Sequence, residues 1–124
     1  MLFTTDPADF RGDTKVNYLR LAELQRTTPQ PTKLVLTQFS SAQLTAAAGI
    51  VDAILGTGFR GELRTELVEM ITTINACSIP VISVDIPSGV DATTGEVQTV
   101  AIQAAATVTF AFEKTGLSVS PGKY

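Results

Sequence analysis

Residues 50–61 read IVDAILGTGFRG, an apolar run followed directly by a glycine-rich turn of the form GxGxxG. From Leu63 onwards, apolar residues recur at helical spacing, so the order is strand, glycine turn, helix. That order is typical of nucleotide-binding α/β units, in which the backbone of the turn approaches a phosphate closely. We therefore predict a parallel sheet with helices on both faces and a nucleotide near this turn.

A second stretch, DIPSGVD at residues 85–91, follows the apolar run VISV at 81–84. The carboxyl ends of parallel strands meet at one edge of a sheet, so its acids are expected on the same edge as the glycine turn. Carboxylates there can hold ribose hydroxyls or a hard cation. Both stretches together predict a ligand site at that edge.

Strands and helices are predicted in alternation along the chain. The predicted strands are 1–5, 33–37, 50–55, 81–84 and 107–110, the predicted helices are 12–25, 40–49 and 63–79, and 27–31 is a predicted loop. Residues 101–106 are compatible with helix or strand. The inward-facing positions are predicted to be Val16, Leu19 and Leu24 in the first helix, and Leu63, Leu67, Met70, Ile71 and Ile74 in the last.

Composition predicts a globular chain. With 124 residues, 44% of them hydrophobic and 17% charged, the length suits one domain over 1–124, and disorder is not expected. A net charge of −3 gives no electrostatic basis for nucleic-acid binding. No transmembrane run or signal peptide is recognisable, so a cytoplasmic protein without a membrane partner is expected. The single cysteine, Cys77, is expected to be a small buried thiol on the last predicted helix.

The chain has no histidine, so acid-base chemistry must use carboxylates, lysine, tyrosine or solvent. This excludes Ser-His triads and most zinc sites.

Each candidate residue also has a structural interpretation. Asp52 could cap a neighbouring loop by accepting backbone N–H groups, and GTGFRG could be an ordinary strand-helix connection in which Arg60 meets only solvent. Asp85 and Asp91 could be turn acids of the Asx type, which is the interpretation we favour for Asp91. Lys114 is expected to be a solvated lysine at a strand end, with phosphate contact as the alternative.

Taken together, these segments resemble the YjeF N-terminal domain family, which is the NAD(P)H-hydrate epimerase family. The resemblance rests on VDAILGTGF (51–59), VDIPSGVDATTG (84–95), TVTF (107–110), KTGL (114–117), Pro121-Gly122 and, upstream, Gly12-Asp13 with Asn17-Tyr18. It extends over nearly the whole chain, and DIPSGVD is its most specific part.

The resemblance implies a three-layer α/β/α Rossmann-like fold with a mainly parallel sheet, and interconversion of the R and S epimers of hydrated NADH and NADPH. It implies a potassium ion bound by Asp52 and Ser88. It implies that Asp85 contacts the substrate near the chemistry, and Asp85 is our candidate for the proton transfer. The substrate-binding loop that it implies consists of Gly56, Thr57, Gly58, Phe59, Arg60, Gly61 and Glu62.

The chain also departs from the family pattern. The family's phosphate loop of the form NNGGDG has no match, the first strand-helix unit is absent, and Ala105 stands where an acidic residue is usual. These departures predict a fold that is incomplete relative to the family, and an exposed sheet edge that favours a homodimer. They also keep open a non-catalytic nucleotide-binding or dimerisation module. GxGxxG followed by Asp85 is compatible with an NAD-dependent dehydrogenase fragment as well, although DIPSGVD disfavours it.

Overall fold

The computed structural model describes residues 1–27 and 35–119. The chain divides into two compact units, residues 1–40 and 41–124. Both units combine parallel strands with helices, as expected for an incomplete α/β fold of the Rossmann-like type. The prediction of a mainly parallel α/β chain is thereby confirmed, while a single domain over 1–124 stays a prediction.

The first unit is a strand-helix-strand arrangement. It contains β1 (Leu2–Phe3), α1 (Gly12–Thr27) and β2 (Thr37–Gln38), and β1 and β2 pair in parallel. The second strand was predicted earlier in the chain, at 33–37. Residues 33 and 34, like most of the predicted loop at 27–31, lie outside the described residues. Among those described, the main-chain pairing begins where the Met1 ammonium donates to the Val35 carbonyl.

An aromatic cluster is the main packing feature of this unit. Phe3, Phe10 and Tyr18 contact one another edge to face, with ring centroids 5.4–5.5 Å apart. The prediction that Val16, Leu19 and Leu24 face inward is wrong, because their exposed fractions are 47%, 57% and 54%. Helix α1 turns Tyr18 towards the short strand β1, and two strands of two residues each offer too little apolar surface to cover the rest of the helix.

The second unit contains a three-stranded parallel sheet in the order β3-β4-β5. Its elements are a 3₁₀ helix (Ser41–Ala46), β3 (Ile50–Asp52), α2 (Thr65–Asn75), β4 (Val81–Val84), β5 (Ala106–Val108) and the short α3 (Thr115–Ser118). Strand β4 has the predicted bounds. Strand β3 is shorter than its prediction, and β5 begins one residue earlier than predicted.

Helix α2 packs by the face that its periodicity predicts. Ile71 and Ile74 are buried, whereas the other predicted positions are partly buried. The helix ends at Asn75, so Cys77 lies in the following turn; it is half-buried, and its thiol donates to the Thr73 carbonyl at 3.3 Å. The expectation of a buried helical cysteine is therefore wrong in both respects.

The undecided segment 101–106 is not helical, and an asparagine side chain holds part of it. The Nδ2 of Asn75 donates to the Ala101 carbonyl at 2.8 Å, and the Gln103 N–H donates to its Oδ1 at 2.9 Å. This amide clamp uses main-chain groups that a helix would need for itself. Within the described ranges, no helix is both long and apolar enough to cross a membrane.

Candidate functional site

Three polar side chains mark the carboxyl edge of the β3-β4-β5 sheet. Asp52 is the last residue of β3, Asp85 comes directly after β4, and Thr109 comes directly after β5. Because the strands are parallel, all three side chains arise at the same edge, where α/β sheets commonly bind ligands.

Asp52 lies at the centre of a buried hydrogen-bond network and is only 2% exposed. Its Oδ2 accepts from Ser83 Oγ at 2.8 Å and from the Ser88 N–H at 2.9 Å. Its Oδ1 accepts from Ser88 Oγ at 2.6 Å and from the Ile54 N–H at 3.3 Å. A carboxylate has about four acceptor positions, so these four bonds satisfy it. The network ties the end of β3 to the DIPSG turn.

The DIPSG turn is shaped by a glycine that no other residue can replace without strain. Gly89 has φ +99°, and a Cβ there would lie 2.2 Å from the Val100 carbonyl oxygen. Its neighbours Ile86 and Val90 are buried in an apolar cluster. The turn therefore anchors itself in the core and presents Ser88 to the sheet edge, where Ser88 Oγ also accepts from the Leu55 N–H at 2.9 Å.

The oxygen atoms beside Asp52 are of the types that bind a hard cation, although Asp52 itself already accepts four hydrogen bonds. Asp52 Oδ1 and Ser88 Oγ are 2.6 Å apart, and the Leu55 carbonyl oxygen is 3.5 Å from Ser88 Oγ. Carboxylate, hydroxyl and carbonyl oxygens are the ligands that hard cations prefer. In the part of the chain that the structure describes, every hydrogen-bond donor to Asp52 is neutral, so no basic side chain balances its charge.

The glycine turn between β3 and α2 presents free backbone amides. The Phe59 N–H closes a tight turn onto the Gly56 carbonyl at 3.1 Å, and the other amides of 56–61 have no acceptor among residues 1–27 and 35–119. Gly56 and Gly58 are exposed, and no atom lies within 4 Å of a Cβ built on either. Helix α2 begins only at Thr65, and exposed Glu62 lies in the segment between. The loop is thus an amide-bearing turn rather than the first turn of a helix.

Arg60 connects the glycine turn to the segment after DIPSG. Its Nη1 donates to the carbonyls of Thr57 and Phe59 and lies 3.9 Å from Asp91 Oδ2, while its Nη2 lies 3.4 Å from Thr93 Oγ. Asp91 Oδ1 accepts from the N–H groups of Thr93 and Thr94 at 2.7 and 2.9 Å. These backbone bonds, with Arg60, lower the pKa of Asp91 below its usual value. Asp91 is thus the turn acid that we predicted.

Asp85 is held at the end of β4 by residues that follow β5. Its Oδ1 accepts from the Lys114 ammonium, from the Phe110 N–H at 3.1 Å and from Thr109 Oγ at 3.4 Å. The ammonium of Lys114 and the Phe110 amide lower the pKa of Asp85 below its usual value. The prediction of a solvated Lys114 is wrong: its side chain is 18% exposed because the turn after β5 folds it back over Asp85.

The cavities touch this site only at its margins, since the larger one is lined in part by Thr109 and the smaller one by Phe59, Arg60 and Gly61. A cavity of about 1240 Å³ opens beside the C-terminal end of α2 and β5, and its lining includes neither the glycine turn nor Asp52, Asp85 or Ser88. A space of about 20 Å³, enough for one water, lies between Phe59, Gly61 and Gly89. Asp52 and Ser88 are thus buried, whereas the glycine turn is exposed and accessible to a ligand.

Sequence reasoning missed the parts played by Ser83 and Thr109, and it misjudged Lys114. The role of Ser83 could have been predicted from the sequence. It is the one polar residue in the run VISV, and it occupies one of the alternate positions of β4 that face the interior. No local pattern in the sequence indicated the roles of Thr109 and Lys114, because these residues lie 24 and 29 positions from Asp85, which they contact.

Comparison with known proteins identifies the family of this chain. A family model described as YjeF-related protein N-terminus matches residues 1–116. An NAD(P)H-hydrate epimerase of Pirellula staleyi is 39% identical over 118 residues, which cover 89% of this chain and 48% of that protein. An NAD(P)H-hydrate epimerase of Weissella koreensis is 48% identical over 73 residues, covering 59% and 33% respectively. A bifunctional NAD(P)H-hydrate repair enzyme Nnr of Pyrobaculum aerophilum is 51% identical over 73 residues, covering 59% and 14%.

The chain therefore spans about half the length of these relatives or less. The match to the family model nevertheless extends over residues 1–116 and includes both stretches that form the sheet edge. This chain belongs to the family of YjeF-related N-terminal domains.

Proposed function

We propose that this chain takes part in the epimerisation of hydrated NADH and NADPH, the activity after which its relatives are named. The observation that carries the proposal is the bond of Ser88 to both Asp52 and Leu55, because it joins DIPSG to the start of the glycine turn at one sheet edge. Asp85 arises at that same edge. A nucleotide with its diphosphate on the turn would have its reactive ring near these oxygens.

The glycine turn is proposed to hold the diphosphate of the substrate. The support is its set of amides without an acceptor among the described residues, the exposure of its glycines, and the free space of 4 Å around a Cβ built on Gly56 or Gly58. The residues assigned to substrate binding are Gly56, Thr57, Gly58, Phe59, Arg60, Gly61 and Glu62, together with Asp85. The guanidinium of Arg60 lies on this turn and adds positive charge to it.

Asp85 is proposed as the group that moves the proton. Inversion at the hydrated ring carbon requires either loss and return of water or opening of the ring at its C–N bond, and each route needs a group that takes up and returns one proton. With no histidine in the chain, the carboxylate at the sheet edge is the candidate. An aspartate is ionised at neutral pH, and the contacts of Asp85 lower its pKa instead of raising it, so it begins as a base.

A potassium ion is proposed at Asp52 and Ser88. When bound, such an ion supplies a fixed positive charge beside the substrate's anionic groups. The chain's own contribution is the buried carboxylate of Asp52 with the hydroxyl of Ser88, and all hydrogen-bond donors to Asp52 among the described residues are neutral. Thermal unfolding in potassium, sodium and choline chloride at equal ionic strength tests the site, with a higher midpoint expected in potassium. Equal midpoints in the three salts would count against it.

The activity is tested by following exchange between the R and S epimers of hydrated NADPH by chromatography or NMR. The chain is expected to accelerate exchange above the spontaneous rate, and Asp85→Asn is expected to remove that acceleration. Asp13→Asn, on the exposed face of α1, is the matched control and should leave the rate unchanged. No acceleration by the wild-type chain would refute epimerisation.

A second candidate is a nucleotide-binding or dimerisation module without catalysis. The exposure of the glycine turn favours it, since Gly56 and Gly58 are exposed and the space beside Phe59 and Gly61 holds only about 20 Å³. The same experiment separates the two candidates: binding of NADPH seen by calorimetry, with no acceleration of epimer exchange, identifies the non-catalytic module.

We also propose that two copies of the chain form a homodimer through one face of the β3-β4-β5 sheet. Val51, Ile82 and Val108 lie on that face and are 69%, 44% and 55% exposed. Exposed apolar rows of this kind commonly mark interfaces. Sedimentation equilibrium is expected to show a dimer that Val51→Lys weakens, and a monomer at all concentrations would refute it. A cytoplasmic location stays a prediction.

A further inference from the structure

We propose that Lys114 is a positioning residue for the proposed epimerisation: it pins Oδ1 of Asp85 so that Oδ2 is the oxygen that meets the substrate. The inference rests on the proposed function, because it concerns the carboxylate assigned to proton transfer there. It is carried by the way in which the bonds of Asp85 are divided between its two oxygens.

The division is complete within the described residues. All three donors to the Asp85 side chain, from Lys114, Phe110 and Thr109, reach Oδ1, and Oδ2 accepts from none. No buried side-chain oxygen or nitrogen in the described ranges lacks a partner. Oδ2 must therefore be open to solvent, and a bound substrate can reach it. One oxygen is used for anchoring and the other is left for chemistry.

Lys114 has no N–H group left for a ligand. An ammonium carries three donors, and those of Lys114 go to Asp85 Oδ1, to Thr109 Oγ at 3.0 Å and to the Phe110 carbonyl at 2.7 Å. A lysine held by three acceptors and only 18% exposed is poorly suited to phosphate binding. Its role is therefore exerted through Asp85.

The backbone on both sides of this contact is strained. Asp85 has φ +71° and Ala111 has φ +60°, and among the described residues these are the two that adopt positive φ without being glycine. Such conformations persist only where the surrounding contacts impose them, and they are concentrated at functional sites. Here the Asp85 N–H donates to the Val108 carbonyl at 2.8 Å, so main chain and side chain together aim the carboxylate.

This arrangement favours the ring-opening route. Oδ2 removes the proton from the hydroxyl of the hydrated ring, the oxygen forms a carbonyl, and the C–N bond breaks with its electron pair remaining on nitrogen. The carboxylic acid then returns the proton to that nitrogen. Addition of the nitrogen to the opposite face of the carbonyl, by the reverse transfers, gives the other epimer. No further reactant is needed, and the carboxylate ends as it began.

The test compares Lys114→Met and Lys114→Arg with Lys15→Met, a matched control on the exposed face of α1. Two measurements are made on each chain. The first is the pKa of Asp85 from its carbon-13 carboxyl shift, which needs no activity. The second is the pH dependence of kcat and KM for epimer exchange of hydrated NADPH. The charge that faces Asp85 among the described residues is that of Lys114, so the pKa is expected to rise in Lys114→Met.

If Lys114 positions Asp85, Lys114→Met lowers kcat about 100-fold with KM changed less than about twofold, and it moves the acidic limb of the pH profile upwards. Lys114→Arg restores most of the pKa and part of kcat, while Lys15→Met changes neither. An unchanged carboxyl titration in Lys114→Met, or a loss confined to KM, overturns the inference.

A second variant keeps the inference testable if Lys114→Met does not fold. Thr109→Val keeps the charge of Lys114 but removes a hydroxyl that bonds both Lys114 and Asp85, and we expect an intermediate loss of kcat. Failure of the proposed function is distinguishable from failure of this inference. A wild-type chain without epimerase activity refutes the function, whereas the carboxyl titration still decides whether Lys114 holds Asp85.

Discussion

Ser88→Ala should be the most destabilising single-atom deletion at the site edge. The serine is 1% exposed, and its Oγ donates to Asp52 at 2.6 Å while accepting from the Leu55 N–H at 2.9 Å. A hydrogen bond to a charged group is worth about 1.5–3 kcal/mol, and an amide left unpaired costs about 1–3 kcal/mol more. Because the alanine leaves little room for a replacement water, we expect a loss of about 3 kcal/mol.

Urea denaturation followed by circular dichroism measures this loss at neutral pH, and a loss of that size lowers the thermal midpoint by about 10 °C in a chain of this length. Ser78→Ala is the control, since Ser78 is exposed and makes no hydrogen bond in the described part of the chain. Ser83→Ala, which removes one bond to Asp52, should cost about 1.5 kcal/mol. If Ser88→Ala cost less than about 0.5 kcal/mol, as a surface substitution does, the network would not hold the edge together.

Three further outcomes are expected. Gly89→Ala should destabilise the chain by about 3 kcal/mol in urea, because its Cβ would meet the Val100 carbonyl at positive φ, whereas Gly56→Ala should cost under about 1 kcal/mol. The depressed pKa values of Asp85 and Asp91 add stability that is complete above their unfolded pKa of about 4 and is lost as pH falls through the folded values. Asp91→Asn should therefore flatten the decline of the urea midpoint below about pH 4, and an unchanged decline would contradict the assignment. In oxygen-18 water, ring opening should give epimerised product that is mostly unlabelled at early times. Oxygen-18 in every epimerised molecule would instead indicate loss and return of water.

Helix α2 and strand β4 were predictable because their signals are local. Ile71 and Ile74 recur at the spacing of one helical face, and VISV is an apolar run bounded by Pro80 and Asp85. The inward face of α1 could not be predicted in the same way. Whether Leu19 or Leu24 is buried depends on what surface lies opposite, and periodicity carries no information about that.

Residues 50–61 and 85–91 indicated the parallel α/β character and the placing of acids and glycines at strand ends, and together with the other matching segments they indicated the family. These properties depend on residue types and spacing along the chain. Only the tertiary structure decided which partners each acid acquired. Ser83 and Ser88 surround Asp52, while Lys114 and Thr109 take one oxygen of Asp85 and leave the other open. Such contacts join residues that are distant in the chain. A hydrogen bond requires a narrow range of distances and angles, and many polar side chains could come close enough to form one. Which of them do so is decided only when the strands are paired in register.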